Sequence, residues 1–296
     1  MTTADTHNDL RTAALSQEEL VVVSAAKKRI ARRKRQVIAS RALLLAVFLG
    51  LWEFGARSGL IDPFFFGSPV GIVERLVDWC INGTAYGSLW LQVGITLEEA
   101  LLGFIAGVAG GILFGVTLGE IAFLADVVGP YIKILNALPR IVLGSIFVMW
   151  LGLGLASKVL LAAVLVFFVV FFNAFQGVRS VDRNLIANMR ILGASRLQLV
   201  QYVIFPSAMT WIIASLHVAL GFSIIGAIVG EFLGAERGLG LVIATAQNTF
   251  DANGVFAAML VIGLLALGAE AIMAKIEKRL LAWQPSQSRE QNTQGL

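Results

Sequence analysis

The sequence predicts an all-α polytopic membrane protein with six transmembrane helices and both termini on the cytoplasmic side. Three observations carry that prediction. First, 57% of the 296 residues are apolar and 14% charged, against about 45–50% and about 25% in soluble domains. Second, the apolar residues gather into six stretches near the ~20 residues that a ~30 Å hydrocarbon core demands, and mean hydropathy is +0.81. Third, nine of the 23 Lys and Arg lie in residues 1–41, including Lys27, Lys28, Arg29, Arg32, Arg33, Lys34 and Arg35. Soluble globular, disordered, collagen-like and coiled-coil classes are excluded.

Residues 1–38 read as a basic cytoplasmic tail. Ser16-Gln-Glu-Glu19 fits a capping box for a short amphipathic helix on anionic lipid; the plainer role is an orientation signal. No small-residue cleavage site follows the first apolar run, so no cleavable signal is expected. A membrane domain is expected over 39–283, with spans at about 40–57, 97–119, 122–151, 157–178, 207–229 and 254–281. The first is the weakest, because Arg41 and Glu53 bracket only 11 uncharged residues. Ser68-Pro69 reads as the N-cap and N1 of a surface helix to about Ile81, with Ile72, Leu76 and Trp79 on one face.

Thr96-Leu-Glu-Glu99 reads as a capping box opening the second span, which places Glu98 and Glu99 where the macrodipole favours carboxylates. That span carries Gly103, Gly107, Gly111, Gly115 and Gly119, a stripe on which another helix can approach closely. Leu138-Pro139 should bend the third span, since proline removes a backbone donor. Residues 284–296 read as a polar C-terminal tail.

Charge counting orients the chain. With the N-terminus inside, the cytoplasmic side receives 18 Lys and Arg and the outer side four: Arg57, Arg75, Lys158 and Arg237. That bias satisfies the positive-inside rule. Arg140 is left inside the third span, where an arginine costs on the order of 3 kcal/mol at midplane on insertion scales. It should face a wet cavity near an anionic solute, or pair with groups freed at the Pro139 break. Asn136, Ser145, Asn173 and Gln176 are further polar groups in or near spans three and four. Such residues either line a pathway or bond between helices.

Several chemistries are absent. Cys80 is the only cysteine, and His7 and His217 are too far apart for a metal cluster. None of the seven lysines follows a glycine, so there is no Walker A loop. Ser215 or Ser223 with His217 lacks a nucleophile elbow, and His217 reads as a packing residue. An ion-coupled secondary transporter would show inverted repeats and paired intramembrane acids. Here Glu270 is the only acid well inside a late span. No nucleic-acid partner is expected.

One connection stands out. The cytoplasmic loop 179–206 is amphipathic: Leu185, Met189 and Leu192 fall at helical spacing, Gly193 breaks the run, and Leu197 and Val200 resume it. Two short helices hinged at Gly193, with an apolar face and four arginines, suit docking into a protein groove or resting on lipid.

The run Leu192-Gly193-Ala194-Ser195-Arg196, with Pro206 thirteen residues after Gly193, resembles the cytoplasmic "EAA" loop of ABC importer permeases. The resemblance extends over about residues 40–283. Leu51-Trp52-Glu53, Pro63 with Ser68-Pro69, the glycine stripe and Ala137-Leu138-Pro139-Arg140 follow in the expected order. So do Trp150-Leu-Gly-Leu-Gly154, Gly177-Val-Arg-Ser-Val-Asp182, and Glu231-Phe-Leu-Gly with Gly238-Leu-Gly240. Together they resemble the nitrate/sulfonate/taurine/bicarbonate branch of binding-protein-dependent permeases. Three departures stand: Ala187-Asn188-Met189 replaces the usual triplet and its glutamate, Gly144-Ser145 stands where relatives often have proline, and Glu120 and Asp126 occupy a commonly basic connection.

The resemblance implies a MetI-like type I core in a bacterial inner membrane, carrying a transport subunit rather than an enzyme. Leu185, Ala187, Met189, Leu192, Gly193, Ala194, Ser195, Arg196 and Pro206 would couple to two ATP-binding cassette subunits, which hold ATP and Mg; this chain binds no cofactor or metal. A second permease copy, as a homodimer, and a solute-binding protein complete the expected assembly. Glu231, at the outer end of span five, matches a family position suited to gating. The expected cargo is a small anion of the sulfonate, taurine or nitrate kind, with neutral, aromatic or pyrimidine-type solutes as the alternative.

Overall fold

The computed structural model describes residues 3–280, whose regular structure is helical. It falls into two units, one through Val70 and one from Gly71.

In the first unit, α1 (Thr3–Arg57) is a single 55-residue helix, so Ser16 lies inside it rather than capping a separate one. Its 29-residue stretch Arg29–Arg57 has span length and hydropathy. Glu53 closes the helix: it takes Arg57 Nε at 2.6 Å and the Val70 N–H at 3.1 Å. Asp62 caps the short α2 (Pro63–Phe66), accepting from Phe64 N at 2.9 Å.

The chain continues into α3 (Pro69–Ile81), the expected surface helix, with Ile72 and Trp79 buried. Helix α4 (Leu89–Glu120) begins earlier than the capping-box pattern suggests. Ser88 is its N-cap, accepting from Leu91 N at 3.2 Å, so Thr96 and Glu99 lie two turns inside. The Thr-x-x-Glu spacing is instead an i, i+3 pair on one helix face, and that face is buried: Gln92, Thr96 and Glu99 are 0%, 0% and 3% exposed.

The third expected span is not one helix. It divides into α5 (Ala122–Ala137), a 3₁₀ turn at Arg140–Val142 and α6 (Leu143–Leu151), with Leu138 extended at ψ 139° before Pro139. A residue before proline is pushed out of helical geometry, so the expected bend is a full break. Among the described residues, five helical stretches therefore have span length: Arg29–Arg57, Leu89–Glu120, Leu155–Arg179, Arg196–Leu233 and Ala252–Arg279. The stretch expected as the third span holds only the two shorter helices α5 and α6.

Helices α7 (Leu155–Arg179) and α10 (Phe205–Leu233) pack with α4 as the core of the second unit. The glycine stripe of α4 faces α7. A Cβ on Gly107 would come within 2.6 Å of Ala163 O and Val166 Cβ, and one on Gly115 within 2.7 Å of Ala174 Cβ. Gly226 of α10 meets Ala162 just as closely, 2.6 Å from its Cα, so α7 is gripped from two sides. Between the glycines, Val166, Val170 and Ala219 are fully buried with Phe104, Val108 and Leu216 around them. Helices α11 (Leu239–Asn248) and α12 (Ala252–Leu280) follow, α12 lying against Ala100, Ile224 and Ala227. The expected tail 284–296 lies outside the described residues.

Candidate functional site: coupling segment, broken span and buried ion cluster

The loop between α7 and α10 folds as two short helices, α8 (Arg183–Ile191) and α9 (Arg196–Leu199), which run through a π turn (Val200–Ile204) into α10. Asp182 caps α8, accepting from Asn184 N at 2.8 Å. Gly193 sits at φ +82° between the helices, a left-handed conformation that L side chains adopt at a cost. Ser195 and Gln198 form a reciprocal capping box at α9, with bonds of 3.3 and 2.8 Å. The Ser-x-x-Gln signal was there to be read in the sequence. Before Pro206 the helix widens: Phe205 N–H reaches Val200 O, because proline disfavours α geometry one turn upstream.

The two faces of this segment differ from the simple helical spacing. Ile186, Met189 and Ala194 pack inward on buried Val181, Leu199 and Val203. Leu185, Ile191, Leu192 and Leu197 are exposed, the last three at 82%, 80% and 74%. Met189 therefore parts from Leu185 and Leu192, because Gly193 turns the chain before the stripe can close. Ala187 is exposed. The acidic departures also find partners: Arg196 Nε meets Glu120 Oε1 at 3.0 Å, and Arg179 meets Asp126 at 3.9 Å. Glu120 thus joins the end of α4 to α9, and Asp126 joins α5 to the end of α7.

At the broken span, Pro139 is exposed and Arg140 is half-buried, its guanidinium 4.9 Å from the Phe168 ring centroid on α7. That is cation–π range. Ser145 on α6 and Gln176 on α7 are exposed. Asn173 donates to Val169 O at 2.9 Å, one turn back in its own helix. Asn136 lies in the last turn of α5, its side chain outside the described residues.

The third place was only partly legible. Glu231, in the last turn of α10, is fully buried. Its carboxylate accepts from Thr96 Oγ1 at 2.7 Å and from Gly240 N at 2.6 Å. The Glu99 carboxyl is buried in the same cluster and interacts with it electrostatically. Glu99 Oε2 is buried without a hydrogen-bond partner among the described residues. Lys158, in the first turn of α7, interacts electrostatically with both acids. Lys158 reads in the sequence as an outer-surface charge, but it is 0% exposed, with Nζ donating to Leu153 O. Taking an ion out of water costs several kcal/mol, which nearby opposite charges and N–H donors offset. His217 pairs with Glu277 of α12, a partner that satisfies its ring.

Long apolar helices thus carry an exposed apolar row on α8 and α9 and a buried polar cluster around Glu231. Residues 107–282 match the family described as binding-protein-dependent transport system inner membrane component, and the chain belongs to that family. It is 31% identical over 250 residues to the taurine transport system permease protein TauC of Escherichia coli (strain K12), covering 84% of this chain and 90% of that one. It is 32% identical over 244 residues to the riboflavin transport system permease protein RibX of Chloroflexus aurantiacus, covering 82% and 88%. Its fold is similar to a chain of the inward-facing MetNI methionine ABC transporter. The TM-score is 0.52 at 20% identity, over 64% of this chain and 93% of that one. The chain is therefore an ABC importer permease of the MetI type.

Proposed function

We propose that this chain forms half of the translocation pathway for a small anion of the sulfonate kind. A second copy of the chain supplies the other half, two ATP-binding cassette subunits drive it, and a solute-binding protein delivers the cargo. The observation that carries the coupling is the exposed apolar row Leu185, Ile191, Leu192 and Leu197 on α8 and α9. It is fixed on its inner face by Val181, Leu199 and Val203 and continuous with α10. Closure of ATPase subunits against this row would move α10, and with α7 switch the pathway between faces. ATP is hydrolysed on the partner subunits, and both termini of this chain are cytoplasmic.

Arg140 supports the anionic cargo. It stands where the third crossing loses its helix, its guanidinium against Phe168 of α7. A guanidinium there offers paired donors to a sulfonate or carboxylate. The similarity to RibX supports a second reading, a larger aromatic solute. Uptake into proteoliposomes holding the chain with its ATPase and binding-protein partners separates the two. The sulfonate reading expects ATP-dependent uptake of taurine or an alkanesulfonate that Arg140→Ala reduces about 100-fold while the purified complex stays intact. Uptake of riboflavin but no sulfonate, or undiminished uptake by Arg140→Ala, overturns it.

A further inference from the structure

Helix α11 has no cap of its own. Its N-cap position is Gly238, which has no side chain to accept from the first free N–H groups. Those groups are nevertheless satisfied, and every acceptor comes from another helix. Gly238 N donates to Gln92 Oε1 at 2.7 Å, Leu239 N to Thr96 Oγ1 at 3.0 Å, and Gly240 N to Glu231 Oε2 at 2.6 Å. Gln92 and Thr96 belong to α4 and Glu231 to α10, so α11 is capped in trans by both. Glu231 brings the carboxylate that the helix dipole favours at an N-terminus, and Thr96 ties it to α4. Gly238 and Gly240 let the backbone come this close; a Cβ on Gly240 would lie 2.7 Å from Glu231 Cβ.

Glu231 also sits at one end of a long lever. The helical stretch Arg196–Leu233 runs 38 residues, from the coupling segment to the turn before α11. At 1.5 Å per residue that is roughly 57 Å of chain. Displacement of the coupling segment therefore reaches the Glu231 carboxylate through one helix. We propose that Glu231 is a positioning residue that links the ATP state of the importer to the order of α11, by capping that helix only while α10 holds its present place. Lys158 and Glu99 are buried with it, at 0% and 3% exposure. Helix α11 also walls a cleft of about 330 Å³, through Val242, Thr245 and Ala246 opposite Arg75 and Tyr86. Release of its cap would reshape that cleft. The proposal rests on the coupling reading given above.

The test places a reporter at Arg237→Cys, an exposed position in the turn before α11, in a Cys80→Ser background. Labelling by a membrane-impermeant maleimide is timed in right-side-out and inside-out vesicles holding the full complex. With Glu231 present, trapping the ATPase subunits with vanadate should change the labelling rate about fivefold or more. In Glu231→Ala the rate should be the same in both states, with membrane level and complex recovery unchanged. Should Glu231→Ala fail to accumulate, the neutral pair Lys158→Met/Glu231→Leu, which keeps the bulk but offers α11 no acceptor, replaces it with the same expected loss of response. A vanadate response that survives in either variant, or is absent from the parent, overturns the proposal. Failure of the complex to form, or uptake without ATP, instead sinks the coupling reading, and labelling from inside-out vesicles alone corrects the orientation.

Discussion

At Gly193 a single atom separates function from strain. The residue sits at φ +82°, yet a Cβ there would meet nothing within 4 Å, so any penalty of substitution is a backbone penalty alone. An L residue in that region costs roughly 1–2 kcal/mol. Gly193→Ala should leave the permease at its normal level in membranes and lower ATP-driven uptake several-fold, with Gly193→Asn milder because asparagine tolerates the left-handed region. Equal uptake by all three proteins would show that the α8–α9 angle is not set by this residue. The residue scale is also where the sequence misleads most. Lys158 and Glu99 are unremarkable as letters, one four residues into an apolar run and one in a capping-box pattern. Their burial depends on Glu231, more than seventy residues further on, and no local pattern reports that distance.

Among the elements, the packing of α4 on α7 is the part the sequence displays most openly. A glycine every fourth residue can only be a flat face, and Gly107, Gly111 and Gly115 lie where an added Cβ would meet α7 within 3 Å. Gly111→Leu would force atoms into Val170 and the Phe167 carbonyl, already 2.8 and 3.0 Å from a Cβ. Overpacking of this kind costs about 1–3 kcal/mol or more, so the variant should melt at lower temperature in detergent or fail to accumulate. Gly263→Ala on α12, with open space around the added atom, is the control and should melt no lower than the parent. The proline break was legible as well, but not its extent. Pro139 announces a bend, and only the extended Leu138 before it turns the bend into two helices. Helix starts were the least legible, since Ser88 and Thr96 are both acceptable caps and burial of the Thr96 face decides between them.

On the scale of the whole molecule, charge and hydropathy declare a membrane transport subunit, and the ordered motifs declare its family. The proposed half pathway per chain leads to a definite expectation: the 31.8 kDa chain should purify as a dimer, and mass measurement of the detergent-free complex reads this directly. A monomer that still supports uptake would overturn the paired-pathway reading. The continuous stretch Arg196–Leu233 has one further consequence, for how such a protein can vary. A single inserted residue between Pro206 and Gly230 would swing Glu231 by about 100° away from Thr96 and Gly240. The phase of that helix is therefore locked at both ends, and it can change its letters but not its length. The π turn at Val200–Ile204 is the exception, a place where an extra residue is already absorbed. Lineages of this permease should gain and lose residues there and in the connections, and nowhere along the shaft.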